Sequence, residues 1–275
     1  MNGPFASFNP NTTRWVPANA LALANAALLA YSDAAPIQQQ VGAWGFDPNR
    51  FVFLESKSDH PMLDTQGFVA CSDDAIVISF RGTQPDSAKD WLTDMDVILR
   101  PFIAGRIHLG FYDALDAVWD DLLAALDKYR TNAQSLWVTG HSLGAALACV
   151  CVARLLLEER RPVNNLYTFG QPRTGDVDFA NRFDAEFGDK TFRFVNDCDI
   201  VTRLYPRVLG FSHADQMMFF DDKAVLHDDD HFWNKFLMEV EVGLDVLRDP
   251  PDTIKEHSMD LYVANMAKNL SFAVT

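Results

Sequence analysis

The sequence predicts an α/β fold built on a mostly parallel central sheet, and three observations carry that expectation. Short apolar runs alternate with longer stretches of helical spacing along the chain, as they do when helices cross over between strands. One buried-strand run, Leu136-Trp137-Val138-Thr139, passes through Gly140-His141-Ser142-Leu143-Gly144 directly into a helical pattern. No repeat or low-complexity linker divides the 275 residues, so a single domain over residues 1–275 is expected.

The first element is a packed amphipathic helix over 17–31, entered through Trp15-Val16-Pro17 with proline in its first turn. Its Leu21–Ala30 stretch has the length of a signal-peptide core. However, Arg14 is the only basic residue before it, and Asn19 and Asn25 interrupt the apolar run. A cytoplasmic location is therefore the expectation, with secretion as the alternative. Strands are expected at 51–54, 67–71, 75–80, 136–139, 166–169, 192–195 and 217–220. A helix over 110–129 carries Leu115, Val118, Trp119, Leu122, Leu123 and Leu126 on one side. A second, over 143–159, carries Leu147, Val150, Arg154 and Leu157. Between residues 85 and 100, Trp91, Leu92, Met95, Ile98 and Leu99 recur at helical spacing among Asp90, Thr93, Asp94 and Asp96, an amphipathic segment. The acidic runs Asp228–Asp230 and Pro250-Pro251-Asp252 read as loops.

Composition narrows the function classes. Hydrophobic residues at 48% and charged residues at 22% exclude a disordered or collagen-like chain. The balance of 23 Lys and Arg against 38 Asp and Glu gives a net charge of −15, which repels phosphate backbones, so nucleic acid is not an expected partner. Nowhere do eighteen apolar residues run together, so no membrane span is expected. Cys71, Cys149, Cys151 and Cys198 form no C-x-x-C pair and read as small buried thiols.

Gly140–Gly144 carries the chemistry. A tight strand-to-helix turn holds a serine hydroxyl out at the sheet's edge, and the helix N-terminus sets the Leu143 N–H beside any oxyanion formed there. A serine needs a base, itself oriented by an acid, and in this arrangement both follow it in the chain. His213, His227, His231 and His257 are the available bases, whereas His141 reads as packed support. His227 and His231 flank the Asp228–Asp230 run and read as solvated surface, with a metal site as the alternative. His257 stands in a loop entering a final helix.

Several ordered motifs resemble those of the class 3, fungal-type triacylglycerol lipases, across about residues 21–262. Phe80-Arg81-Gly82-Thr83 is similar to the family's oxyanion strand end, and Ile107–Tyr112 to its His-x-Gly-Phe segment. Gly140–Gly144 resembles its elbow, Tyr167–Gly175 its Thr-Phe-Gly-Gln-Pro-Arg-x-Gly block, and Asn196–Val201 its acid loop. The resemblance implies an α/β-hydrolase fold and a triad of Ser142, Asp199 and His257. It further implies an oxyanion hole at Thr83 and Leu143, and a lid over about 85–100 with Trp91, Leu92 and Met95 toward substrate. Arg81 then reads as a structural ion pair, and Gln171, Pro172 and Arg173 as scaffold. The implied activity is hydrolysis of lipid carboxylic esters, most of all acylglycerols, at an oil–water interface, with no cofactor and no metal. A phospholipase, a soluble-ester (feruloyl-type) esterase and an inactive lipase-like binding protein are the alternatives. A polar lid would favour the soluble esterase, and a missing triad member the inactive protein.

Overall fold

Eight strands form the central sheet in a computed structural model that describes residues 1–56, 64–83, 97–131, 133–197, 199–205, 207–214, 216–228 and 253–271. Helices α1 (Pro17–Leu29) and α2 (Ala34–Trp44) precede strands β1 (Phe51–Glu55), β2 (Gln66–Cys71) and β3 (Ala75–Phe80). Short strands β4 (Leu99–Pro101) and β5 (Arg106–His108) lead into α3 (Leu109–Asp116) and α4 (Trp119–Tyr129). Next come β6 (Ser135–His141), α5 (Leu143–Leu157), β7 (Asn165–Phe169), β8 (Gly175–Asp176), α6 (Val177–Phe187) and β9 (Thr191–Asn196). They are followed by β10 (Phe211–Ser212), β11 (Gln216–Phe220), β12 (Leu226–His227) and α7 (Met259–Lys268).

The strand order is β1-β2-β3-β6-β7-β9-β11-β12. Strands β3, β6, β7, β9 and β11 pair in parallel, while β1, β2 and β12 pair antiparallel at the two edges. A parallel strand covered on both faces must be apolar throughout, and every residue of β3 and β6 is buried. Alternation then assigns the faces. Ile76, Ile78, Phe80, Leu136 and Val138 join one core with α3, α4 and α5. Ala75, Val77, Trp137, Tyr167 and Phe169 join a second core with α1, α2 and α7. Each large side chain gains about 1.5–3 kcal/mol on full burial, so these two layers hold the sheet edge that presents Ser142.

All seven expected strands are present, their ends shifted by at most two residues. Four helical features differ from expectation. Helix α1 stops at Leu29 and is buried nearly all round rather than amphipathic, because it lies between the sheet and α7. Its buried Asn19 is satisfied by a reciprocal pair of bonds to the Asn9 backbone, at 2.8 and 2.9 Å. The single helix expected over 110–129 is two helices, α3 and α4, joined at Val118 (φ −122°, ψ 8°). Apolar spacing carries no trace of a one-residue excursion of that kind. The third is α5, which ends at Leu157, short of residue 159.

The fourth concerns the amphipathic segment. Leu99 is not helical but belongs to β4, paired with His108, and Ile98 before it is 48% exposed. Trp91, Leu92 and Met95 lie outside the described residues. Strands β4, β5, β8 and β10 form a second, four-stranded sheet that the sequence does not announce, since two or three residues are too few to show a period. No helix among the described residues is long and apolar enough to cross a membrane.

Candidate active site

Strand β6 delivers Ser142 to the carboxyl edge of the sheet and α5 begins at the next residue. The turn forces Ser142 to φ 58° and ψ −127°, a region that non-glycine residues occupy only where the surroundings impose it. Its amide N–H donates to the Phe169 carbonyl at 3.0 Å, which fixes the turn against β7. A β-carbon on Gly144 would strike the backbone of Phe80 and Arg81, and one on Gly140 would strike Gly144 itself. The start of α5 therefore touches the end of β3, and the Gly82 backbone lies against Ser142. Thr83 follows there, its hydroxyl buried and without a partner among the described residues. Leu143 is the first residue of α5 and is buried.

Asp199 and His257 reach the same place from the loops after β9 and before α7. His257 Nδ1 lies 3.0 and 2.9 Å from the two Asp199 carboxylate oxygens. Asp199 is fully buried. It also accepts the Val201 N–H at 2.9 Å and the Tyr262 hydroxyl at 2.6 Å. Burial alone would push this carboxyl up, but the facing His257 and the Tyr262 hydroxyl more than offset it and hold it below the ordinary carboxylate range. With Nδ1 committed to Asp199, the other ring nitrogen of His257, Nε2, is buried and without a partner among the described residues. Two orphaned polar atoms, the Thr83 hydroxyl and His257 Nε2, thus belong to the same candidate site as the strained serine. A buried polar atom left unpaired costs roughly 1–3 kcal/mol and calls for an explanation, which a bound reactant supplies.

Around these residues stands a supporting layer that the sequence reading largely missed. Tyr262 accepts the Asn196 N–H at 3.1 Å while donating to Asp199. Asn196 in turn donates to the Glu256 carbonyl at 2.7 Å, tying β9 to the residue before His257. The available signal was a tyrosine on the apolar side of a short helix, because a buried phenol needs a partner. His141 is packed support, as its neighbour-to-serine position suggested. A carbonyl can only accept, so Nε2–H of His141 donates to the His257 carbonyl at 2.7 Å, and Nδ1 accepts from the Tyr31 hydroxyl at 2.7 Å. Burial drives the His141 pKa down to about 3, with His257 adding to the shift, so the ring stays neutral. Gly170 (φ 60°) is equally close, since a β-carbon there would press on Asp199 Oδ2 and His257 Nδ1 at 2.8 Å.

The remaining sequence candidates fall elsewhere. His213 Nε2 donates to the Thr202 carbonyl at 2.7 Å, and His227 pairs with Asp221 at 3.0 Å. His231 lies outside the described residues. Among the described residues no cluster of three His, Cys, Asp or Glu is placed to hold a metal. Arg81 pairs with Asp64 at 3.2 Å and with the Gln66 side chain, and Arg173 ties down the carbonyls of Arg203 and Leu204, so both hold loops.

A serine on a strained strand-to-helix turn, at the carboxyl edge of a mostly parallel sheet, defines an α/β-hydrolase. The sequence profile described as Lipase (class 3) matches residues 77–209, and the chain belongs to that family. A lipase of Rhizomucor miehei is 36% identical over 171 residues, covering 58% of this chain and 46% of its own length. The triacylglycerol lipase OBL1 of Arabidopsis thaliana is 30% identical over 250 residues, covering 71% of this chain and 48% of its own. The chain thus spans less than half the length of these sequence relatives. Among solved structures, the Rhizomucor miehei triacylglyceride lipase superposes with a TM-score of 0.58 at 28% identity, covering 76% of this chain and 82% of that one. A triacylglycerol lipase described as having a serine protease triad at its catalytic centre gives 0.59 at 29% identity, with the same coverage.

Proposed function

We propose that this protein hydrolyses carboxylic esters of lipids, acylglycerols above all, through an acyl-serine intermediate formed at Ser142. The observation that carries this reading is the strained Ser142 beside the buried Asp199–His257 pair, whose outer nitrogen has no partner among the described residues. His257 Nε2 takes the Ser142 proton as Oγ attacks the ester carbonyl carbon. The carbonyl oxygen becomes an oxyanion held by the Leu143 N–H and by Thr83 through its N–H and hydroxyl. Collapse breaks the ester bond, and the leaving alkoxide receives the proton from His257. Water repeats the sequence on the acyl-serine, releasing a carboxylic acid and restoring the free hydroxyl. Asp199 stays ionised throughout, fixes the tautomer of His257 and stabilises its charged form. Lipid esters are the substrate class in the names of the family's relatives, among them a secreted mono- and diacylglycerol lipase of Malassezia globosa.

The test is a panel of dissolved p-nitrophenyl esters and emulsified acylglycerols, run on wild type and Ser142→Ala. The variant should fold normally and lose about 10⁴- to 10⁶-fold in kcat. Wild type alone should take up one equivalent of an organophosphonate, read by mass spectrometry. If more than a tenth of the activity survives in Ser142→Ala, the nucleophile is elsewhere. Turnover of dissolved esters with none of emulsified acylglycerols would remove the lipid assignment and leave the chemistry standing.

A further inference from the structure

The far edge of the sheet, at the amino end of β6, holds a pocket of about 320 Å³. It lies between the end of α4 and the turn that follows α5. Strand β6 runs from it to Ser142, and seven residues at about 3.3 Å each set the two roughly 20 Å apart. The pocket is therefore separate from the site of ester chemistry, and a ligand bound in it does not depend on that chemistry being right.

Its lining is at odds with the rest of the molecule. In a chain of net charge −15, Arg130, Arg160 and Arg161 converge on one cavity, with Asp127 as its only acidic lining residue. Asp127 pairs with Arg161 at 2.7 Å. Arg130 spends one amino group on the Pro162 carbonyl at 2.6 Å, and neither it nor Arg160 meets a carboxylate among the described residues. Two positive charges are left uncompensated. Burial and the neighbouring Arg161 hold the Arg130 guanidinium below its usual range, which is what crowded like charges in a partly dry pocket do. At the two helix ends the Leu126, Arg154 and Leu155 carbonyls are met by backbone N–H groups and not by these arginine side chains. Arg130 N–H returns to Leu126 O at 2.9 Å, the Glu158 and Glu159 N–H groups to Arg154 O, and Arg161 N–H to Leu155 O at 2.7 Å. Arg160 itself sits at φ 55°, a left-handed turn that brings two successive arginines into the pocket's lining.

We propose that this pocket binds a small phosphate-bearing anion. Guanidinium forks match phosphate oxygens two at a time, and a dianion balances the two unmatched charges. The chain's overall field repels anions, so the affinity is local and selective: a compact phosphate fits where an extended anionic polymer is turned away. Both free phosphate esters and a lipid headgroup present that chemistry.

Isothermal titration at fixed ionic strength tests this with inorganic phosphate and glycerol 3-phosphate. Co-sedimentation uses phosphatidylcholine vesicles with and without phosphatidic acid. Saturable binding of the soluble probes identifies a free phosphate ligand, and capture only by phosphatidic acid vesicles identifies a headgroup. In either case Arg160→Gln, a change at an exposed residue, should weaken binding by roughly tenfold or more. Arg130→Gln combined with it should abolish binding, with folding checked by thermal unfolding. Failure of every probe to saturate, or binding unchanged in Arg160→Gln, overturns the proposal.

Discussion

At the scale of single residues, the candidate site is decided by which polar atoms are satisfied and which are not. Tyr262 spends its hydroxyl on Asp199 and on the Asn196 amide at once, so Tyr262→Phe leaves two buried groups short of a bond. The expected cost is about 1–3 kcal/mol of stability, read from urea midpoints, together with a fall in kcat as Asp199 loses its anchor. Unchanged kcat would mean that His257 is aimed without help from this hydroxyl. With Thr83 in its proposed role, Thr83→Ala removes an oxyanion donor while keeping the backbone N–H. One donor of that kind is worth roughly 10²–10³ in kcat, so the loss should reach at most that and leave KM nearly as it was. An effect confined to KM would place Thr83 against bound substrate instead. Ser142 was legible in its strand-to-helix motif, whereas chemistry and chain order left four histidines open and only the family resemblance pointed to Asp199 and His257. Tyr262, Asn196 and Tyr31 were not legible, because a hydrogen bond between residues 60 to 110 positions apart leaves no local pattern.

At the scale of elements, strands were easier to read than their connections. A strand buried on both faces writes an apolar run into the sequence, as β3 and β6 do, and its ends are visible within two residues. The joint at Val118 and the two-residue strands β8 and β10 write nothing, since they are set by what packs against them. Helix α6 did leave a signal, Phe179, Phe183 and Phe187 at helical spacing, although its surface is otherwise polar. Gly170 shows how an element's end becomes part of the site. It closes β7 at positive φ against both Asp199 and His257, so Gly170→Ala should leave the sheet folded while displacing that pair. The expected result is a far-ultraviolet spectrum like wild type with kcat down at least about tenfold, since small misplacements of catalytic groups are costly. Retained activity would show that the loop yields without moving His257.

At the scale of the whole molecule, acid should act first through a histidine that takes no proton from substrate. The folded-state pKa of His141 lies at about 3 against an ordinary value of 6.5, so between these the unfolded chain binds a proton that the native state refuses. Stability is therefore lost as pH falls below about 6.5, by up to about 1.4 kcal/mol per pH unit for this one group. The depressed carboxyl of Asp199 contributes only lower, as pH falls below its ordinary 3.8. Urea midpoints of His141→Gln should depend less steeply on pH between about 6.5 and 4.5 than those of wild type, and equal slopes would assign the acid sensitivity elsewhere. The docking of α7 on α1 has a consequence in time as well as in space. Ser142 and Asp199 can be in place once the parallel strands have formed, but His257 is carried by the segment that enters α7, the last helix to be synthesised among the described residues. With His257 as the proposed base, a growing chain should stay chemically silent until α7 has left the ribosome and found α1. Ribosome-arrested chains of increasing length should acquire phosphonate reactivity in one late step, so the order of synthesis would act as a safety catch on the proposed ester chemistry.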